Sequence, residues 1–380
     1  MKVCFLISHI PNPRIRRRIE LVKKYADVFL IYVNRVNQSY FEKTDYGVKS
    51  FEIPLDLPDS KQIFRRAVKF NEYKNRAKQL ILDIKPDVIY TELYDSLKIS
   101  VYMKKYLKNL KIIYEIPDIR ELFIQNQKQI AKIIVQKYLI SSEKKLLKSV
   151  DKLILTSEMY YEKYYKFLIN KNKVIFIPNL PDPSLFNSYK KKKDGKFTIG
   201  FVGGLRYIDQ LKLLIDVGKT EDIDIIFSGG ASSKAEMKEL LDYSKGYSNI
   251  YFTGPFEYKS EIASIYSKLD CVYSVYDADN NNVKIALPNK LYEAILCEIP
   301  IIVAKNTYLS ELVEKWGVGI SVDHRSKDDL KDKINLLKNN IQLLLKIKKN
   351  CSLIKKSFTD KNYNDELEKF LKNLININNN

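Results

Sequence analysis

Short apolar runs alternate with longer amphipathic stretches through the first half of the chain. Residues 2–8, 28–33, 48–53, 88–91, 111–115, 152–156 and 174–178 are short and rich in Val, Ile and Tyr, which predicts strands. Between them, residues 14–25, 62–84, 97–107, 127–149 and 158–169 repeat their apolar positions at helical spacing. Strands separated by helices in this rhythm predict parallel β-α-β units and a doubly wound sheet.

A break follows. Pro178, Pro181 and Pro183 lie close together, and the polar run 188–196 contains Lys190, Lys191, Lys192 and Lys193, as an interdomain linker would. The rhythm then restarts. Strands are expected at 197–202, 223–228, 250–253, 271–275 and 300–304, and helices at 210–217, 233–244, 257–268 and 289–297. A short strand after Gly317 and Gly319, a helix at 327–338 and a polar helical tail complete the pattern. The expectation is an α/β protein of two Rossmann-like, doubly wound parallel-sheet domains, 1–185 and 196–350. A helical tail, 351–380, is expected to pack back toward the first. Two such domains joined by a linker are expected to face each other across a cleft, with ligands beyond the carboxyl ends of the strands.

Composition narrows the class. Of 380 residues, 45% are apolar and 29% charged, which suits a packed chain rather than a disordered one. Cys4, Cys271, Cys297 and Cys351 are far apart, with no C-x-x-C pair. That argues against a zinc site or disulfide scaffold and for a reducing, cytoplasmic setting. Two histidines leave little room for a histidine metal centre. No apolar run approaches the roughly 20 residues that span a bilayer. The run 3–10 reads as a first strand rather than a signal peptide.

Charge is unevenly placed. The net charge is +19, and residues 1–196 hold 40 Lys and Arg against 21 Asp and Glu. The remainder carries 25 of each, so the whole excess lies in the first half. Such a surface suits an anionic partner, either nucleic acid or phospholipid headgroups. Within it, residues 127–149 alternate Lys128, Lys132, Lys137, Lys144, Lys145 and Lys148 with aliphatic residues, a pattern that suits a helix lying on an anionic membrane. No nucleic-acid-reading motif stands out, and no nucleic acid is expected as a partner.

Two segments carry candidate chemistry. Gly203-Gly204-Leu205-Arg206 follows the opening strand of the second domain, where glycines permit close backbone approach and Arg206 offers a cationic fork to a pyrophosphate. Pro288-Asn289-Lys290-Leu291-Tyr292-Glu293 opens a helix, with Asn289 as its expected cap and exposed first-turn amides for an anion. Lys290 and Glu293 lie one turn apart, a cation for phosphates and a carboxylate for two ribose hydroxyls.

The Pro288–Glu293 segment, followed by Ile299-Pro300-Ile301-Ile302, resembles the donor-binding segment of GT-B fold glycosyltransferases. The likeness is closest to group 1, or family 4, enzymes of bacterial capsule, exopolysaccharide and O-antigen synthesis. Gly203-Gly204-Leu205-Arg206 is similar to their phosphate-contacting loop, and Pro86-Asp87, Thr156-Ser157-Glu158 and Ile177-Pro178-Asn179 resemble signposts of their first domain. The resemblance implies a nucleotide-diphosphate-sugar donor held by Gly203, Gly204, Arg206, Asn289, Lys290 and Glu293, and a saccharide or lipid-linked acceptor on the first domain. It implies a metal-independent transfer with retention, needing no cofactor, at the cytoplasmic face of the membrane.

Two departures stand out. Many members carry a glutamate eight positions before the one matched by Glu293, where this chain has Ile285, and many carry His-Asp where it has Pro117-Asp118. Asp118 is left as a cleft-facing carboxylate. His9, in the loop after the first strand, is a candidate base toward an acceptor hydroxyl, whereas His324 has no assigned role. Asp277-Ala278-Asp279 has metal-ligand spacing but lies in an Asn-rich loop, so no metal is expected. The rival readings are a sugar-nucleotide epimerase on the same fold and a basic nucleic-acid-binding protein.

Overall fold

The computed structural model describes residues 1–34, 45–56, 63–119, 130–191, 195–359 and 362–378. By its contacts the chain divides into two units, Met1–Pro178 with Tyr363–Asn380, and Asn179–Asn362.

The first unit follows the expected alternation. Its elements run β1 (Lys2–Ile7), α1 (Pro13–Val22), β2 (Asp27–Asn34), β3 (Lys49–Pro54), α2 (Ile63–Ile84), β4 (Val88–Glu92), α3 (Tyr94–Met103), β5 (Lys111–Ile116), α4 (Ile130–Leu147), β6 (Lys152–Leu155), α5 (Glu158–Lys163) and β7 (Val174–Phe176). The seven strands lie in the order β3-β2-β1-β4-β5-β6-β7, and every pairing is parallel. Both faces are covered at the centre of the sheet, which is why β1, β2 and β4 read as apolar runs, while the edge strand β3 is largely exposed. On one face Phe5, Leu30 and Ile113 meet Ile15, Ile19 and Val22 of α1. On the other, Leu6, Ile31 and Ile89 meet Tyr73, Ala77 and Ile81 of α2. Residues 120–129, including Arg120, Lys128 and the start of the expected helix at 127, lie outside the described residues, as does Gln62.

The second unit contains β8 (Thr198–Val202), α6 (Ile208–Gly218), β9 (Asp224–Ser228), α7 (Lys234–Tyr243), β10 (Ile250–Gly254), α8 (Tyr258–Ser267), β11 (Cys271–Ser274), α9 (Asn281–Ile285), α10 (Asn289–Leu296), β12 (Ile301–Ala304), α11 (Tyr308–Trp316), β13 (Gly319–Val322), α12 (Lys327–Asn339) and α13 (Ile341–Thr359). Its parallel sheet runs β10-β9-β8-β11-β12-β13. Helix α11 is absent from the sequence reading. Its start is a capping box in which Ser310 takes the place of the usual Glu or Gln, and its end is Gly317 in the left-handed region.

The unit boundaries differ from the sequence-based segments 1–185 and 351–380. Residues 179–185 count with the second unit, where Phe186 sets its ring edge-on to Tyr266. The tail is divided. Helix α13 stays in the second unit, with Cys351 buried and Phe358 against Tyr292. Only the last helix, α14 (Asp365–Asn378), joins the first unit, inserting Leu367 and Leu371 into the core beside α1. An amphipathic helix goes where its apolar stripe finds a matching face, so one polar-looking tail supplies two units.

Candidate functional site

In each sheet the strand order reverses beside the first strand, between β1 and β4 and between β8 and β11. Ligands of open α/β sheets bind beyond the carboxyl ends of the strands at such reversals.

In the second unit the loops after β8 and β9 run side by side. The Gly203 amide donates to the Ser228 carbonyl at 2.7 Å and Leu205 to Gly230 at 2.9 Å. Gly229, at φ +140°, sits so close that a Cβ there would stand 1.9 Å from the Gly203 carbonyl oxygen, so only glycine fits. Gly204 is exposed, with the Arg206 Nε 3.7 Å from where its Cβ would be, and Arg206 is exposed too. Lys290 reaches the same turn, its Nζ 3.3 Å from the Cβ position at Gly203. The ammonium donates to the Tyr276 hydroxyl at 3.0 Å and lies 4.4 Å from the Phe201 ring centre, with Lys290 only 9% exposed.

Helix α10 begins at this place. The sequence assigned Asn289 as cap; in the structure Pro288 is the cap residue and Asn289 the first helical residue, because Pro288 holds the extended backbone a cap requires. No side chain caps this helix, and its first turn holds no acidic residue. Helix α6, after the Gly203 turn, likewise has no side-chain cap. Helices α1, α7, α11 and α12 are capped by Asn12, Ser233, Thr307 and Ser326. Uncapped first-turn amides of α10 beside Lys290 are an arrangement that suits an anion, whereas the first turn of α6 carries Asp209.

Glu293 departs from the simple one-face picture. It is 3% exposed, and both carboxylate oxygens are engaged. Tyr258 donates to Oε1 at 2.6 Å and Tyr266 to Oε2 at 2.5 Å. Burial, then the Glu293 charge, holds the Tyr266 phenol well above its ordinary pKa, so it stays a neutral donor. Lys290 and Glu293 thus take different partners from neighbouring turns of one helix.

The loop after β11 holds a group the sequence left apart. Asp277, Asp279 and His324 bring one ligand atom each within 4.8 Å of one another, with His324 Nδ1 3.4 Å from Asp277 Oδ1. Arg325 pairs with Asp279. These are the described residues that could hold a metal ion.

At the β1/β4 reversal of the first unit the chemistry is different. Arg14 donates to Glu92 at 2.7 Å and lies 3.3 Å from Glu115, and Arg18 donates to Glu115 at 3.3 Å. Tyr90 donates to the other Glu115 oxygen, and all these residues are buried. His9 places Nδ1 2.7 Å from the Ile10 carbonyl and Nε2 3.3 Å from Glu92. Both neighbours are acceptors, so a ring making both bonds carries two protons and offers no lone pair. That geometry does not suit the general base considered from sequence. Burial alone would raise the Glu92 pKa, but the His9 bond and the Arg14 charge hold it below the ordinary glutamate value. Asp118 is exposed at the end of β5 and accepts from Tyr160 at 3.2 Å. With Glu115, Glu143, Tyr94 and Tyr165 it lines a small recess with space for about one water.

Sequence reasoning brought out Gly203, Gly204, Arg206 and Lys290, which the structure gathers. It missed Gly229, Tyr258, Tyr266 and Tyr276, and also Glu92 and Glu115. Those two glutamates had a signal, since each lies at the carboxyl end of an otherwise apolar strand.

Residues 184–353 match the sequence family described as glycosyl transferases group 1. Over 343 residues the chain is 23% identical to the succinoglycan biosynthesis protein ExoL of Rhizobium meliloti (strain 1021), covering 87% of this chain and 83% of that protein. Among solved structures, sucrose-phosphate synthase from Thermosynechococcus elongatus aligns over 99% of both chains at 14% identity, with a TM-score of 0.74. Anabaena HepE in complex with UDP-glucose aligns over 98% of this chain and 100% of its own at 17% identity, with a TM-score of 0.70. The group 1 match lies in the second unit, and the chain as a whole has the GT-B fold of these solved structures, with two parallel-sheet α/β units.

Proposed function

We propose that this enzyme transfers a sugar from a nucleotide-diphosphate sugar to a lipid-linked saccharide acceptor, which the first unit meets at a membrane, during surface polysaccharide synthesis. The observation that carries the reading is the uncapped start of α10 with Lys290 buried against the Gly203 turn. The likeness to a succinoglycan biosynthesis protein supports the pathway class, and the UDP-glucose complex of HepE supports the donor class.

In this reading Gly203, Gly204, Arg206, Asn289 and Lys290 surround the diphosphate, and Glu293 faces the ribose. As the glycosidic bond to the donor breaks, charge grows on the departing diphosphate, where Lys290, Arg206 and the helix amides lower its energy. The acceptor proton passes to that diphosphate, with retention at the sugar. In this reading Asp118, exposed just after β5, holds an acceptor hydroxyl. His9 serves as a donor and orienting group rather than a base. An epimerase would need an acid and a base at the sugar, and His9 with both nitrogens engaged fits that role poorly. The diphosphate is neutralised by side chains and amides, so activity is expected without a metal ion.

The membrane part of the reading rests on α4. Ile130, Ile134 and Tyr138 are 77%, 63% and 68% exposed at steps of four, one stripe along the helix, with Lys132 and Lys137 exposed beside it. Apolar side chains flanked by lysines suit the cytoplasmic face of an anionic bilayer. Among the described residues no helix is long and apolar enough to cross a membrane. The sequence placed lipid contact in the first half alone. Helix α13 of the second unit also exposes Ile341, Leu345 and Leu353 among Lys346, Lys348, Lys349 and Lys356, so a second contact face belongs in the proposal.

The test is a thermal-shift screen of nucleotide sugars against the full chain, followed by product analysis with and without acceptor. Stabilisation by one donor and transfer only with acceptor are expected. Conversion of the donor sugar with no acceptor present would favour the epimerase instead.

A further inference from the structure

Tyr258 and Tyr266 lie eight residues apart on α8, two turns of one helix, and reach toward the single carboxylate of Glu293. They are not equivalent. Tyr266 is 0% exposed and its ring packs edge-on against Phe186 at 5.9 Å. Tyr258 is the first residue of α8 and is half-buried. One phenol is fixed in the core, and the other stands at the open end of the helix.

A carboxylate has about four acceptor positions, and two phenols use two of them. The others cannot serve a ligand while Glu293 is 3% exposed. A diol that is to reach this carboxylate must displace a side chain. Tyr258 can leave without opening the core, whereas Tyr266 cannot.

We propose that the Tyr258 hydroxyl occupies the place of a donor ribose hydroxyl on Glu293 Oε1, and that donor binding exchanges one for the other while Tyr266 keeps the carboxylate aimed. The proposal rests on the reading of the second unit as the donor-nucleotide site. Tyr258 is then a positioning residue. Without donor it keeps the Glu293 charge satisfied and α10 braced to α8, and a nucleotide lacking the ribose hydroxyls cannot offset its removal.

The two tyrosines should therefore respond with opposite signs. UDP, GDP, ADP and CDP are titrated calorimetrically into the full chain, and the tightest is carried forward with its 2′-deoxy and 3′-deoxy forms. The wild type should bind at least one deoxy form about tenfold more weakly. Tyr258→Phe, which keeps the ring and removes the competing hydroxyl, should bind the ribonucleotide about threefold to tenfold more tightly. Tyr266→Phe should bind it more weakly, and Tyr258→Leu repeats the Tyr258 test with a different side chain. Equal binding of ribo and deoxy forms by the wild type, or binding of no nucleotide, overturns the Glu293–ribose reading and the proposal with it. Ribose discrimination in the wild type combined with unchanged or weaker binding by both Tyr258 variants leaves that reading standing and overturns the exchange, making Tyr258 a structural brace only.

Discussion

At the β1/β4 reversal of the first unit, Arg14, Arg18, Glu92 and Glu115 neutralise one another out of water. At the β8/β11 reversal of the second, a glycine turn, an exposed Arg206 and a buried Lys290 face uncapped helix amides. The topology is shared and the electrostatics are opposite. The half of the chain with the whole positive excess closes its switch point with internal ion pairs, and the half with no net charge leaves Arg206 and Lys290 there with no carboxylate partner among the described residues. Net charge says which surface attracts anions at long range; it does not say where an anion binds. The proposed anion site rests instead on two cations with no carboxylate partner among the described residues, Arg206 and Lys290 of the second unit.

The largest effect that would sharpen this contrast is on stability. Glu115→Ala leaves Arg14 and Arg18 buried without their shared carboxylate. It should cost about 3–5 kcal/mol in urea unfolding, while nucleotide-diphosphate affinity of the folded fraction stays within about twofold. A large loss of nucleotide affinity at full stability would break the contrast. Lys290→Ala should act the other way round, weakening nucleotide-diphosphate binding by about 10–100-fold with little change in the unfolding midpoint without ligand. Comparable losses for a nucleoside and its diphosphate would show that Lys290 is not a phosphate contact.

Acid sensitivity separates the two regions more finely. The folded-state pKa of Glu92 is below its ordinary value, because the His9 bond and the Arg14 charge together outweigh burial. A depressed carboxyl stabilises the fold above its unfolded pKa, and that contribution is lost as pH falls below about 4 toward the folded value. The stability difference between wild type and Glu92→Gln should shrink as pH falls below about 4. A difference that grows on acidification would mean the group is held protonated. The smallest effect concerns the surface charge. Lys132→Glu and Lys137→Glu should each weaken binding to anionic vesicles by about 1 kcal/mol at low salt, and by nothing measurable near 1 M salt. Indifference to salt would leave the positive excess without a lipid partner.

Much of the fold was legible because its central strands are covered on both faces, so they read as continuous apolar runs. Helix α11 was not legible. It has nine residues, its fully buried apolar positions are few, and its capping box uses Ser310 rather than an acid or amide. In the site, the Gly203 turn and the Pro288 to Lys290 segment were legible because the signals are local. The ion network was not, since Arg14 meets Glu92 across 78 positions and Arg18 meets Glu115 across 97. The inward turn of Glu293 was equally hidden, because both of its partners belong to another helix.

The most direct test of the central claim is calorimetric titration of one nucleoside diphosphate into the wild type, Arg206→Ala/Lys290→Ala and Arg16→Ala/Arg17→Ala at low and high salt. Arg16 and Arg17 lie on α1 of the basic unit. If the anion site is the second unit's switch point, the first double variant should lose at least tenfold in affinity and most of the salt dependence. The second should keep both. Loss of binding in the α1 variant, with the Arg206 and Lys290 variant unchanged, would contradict the account.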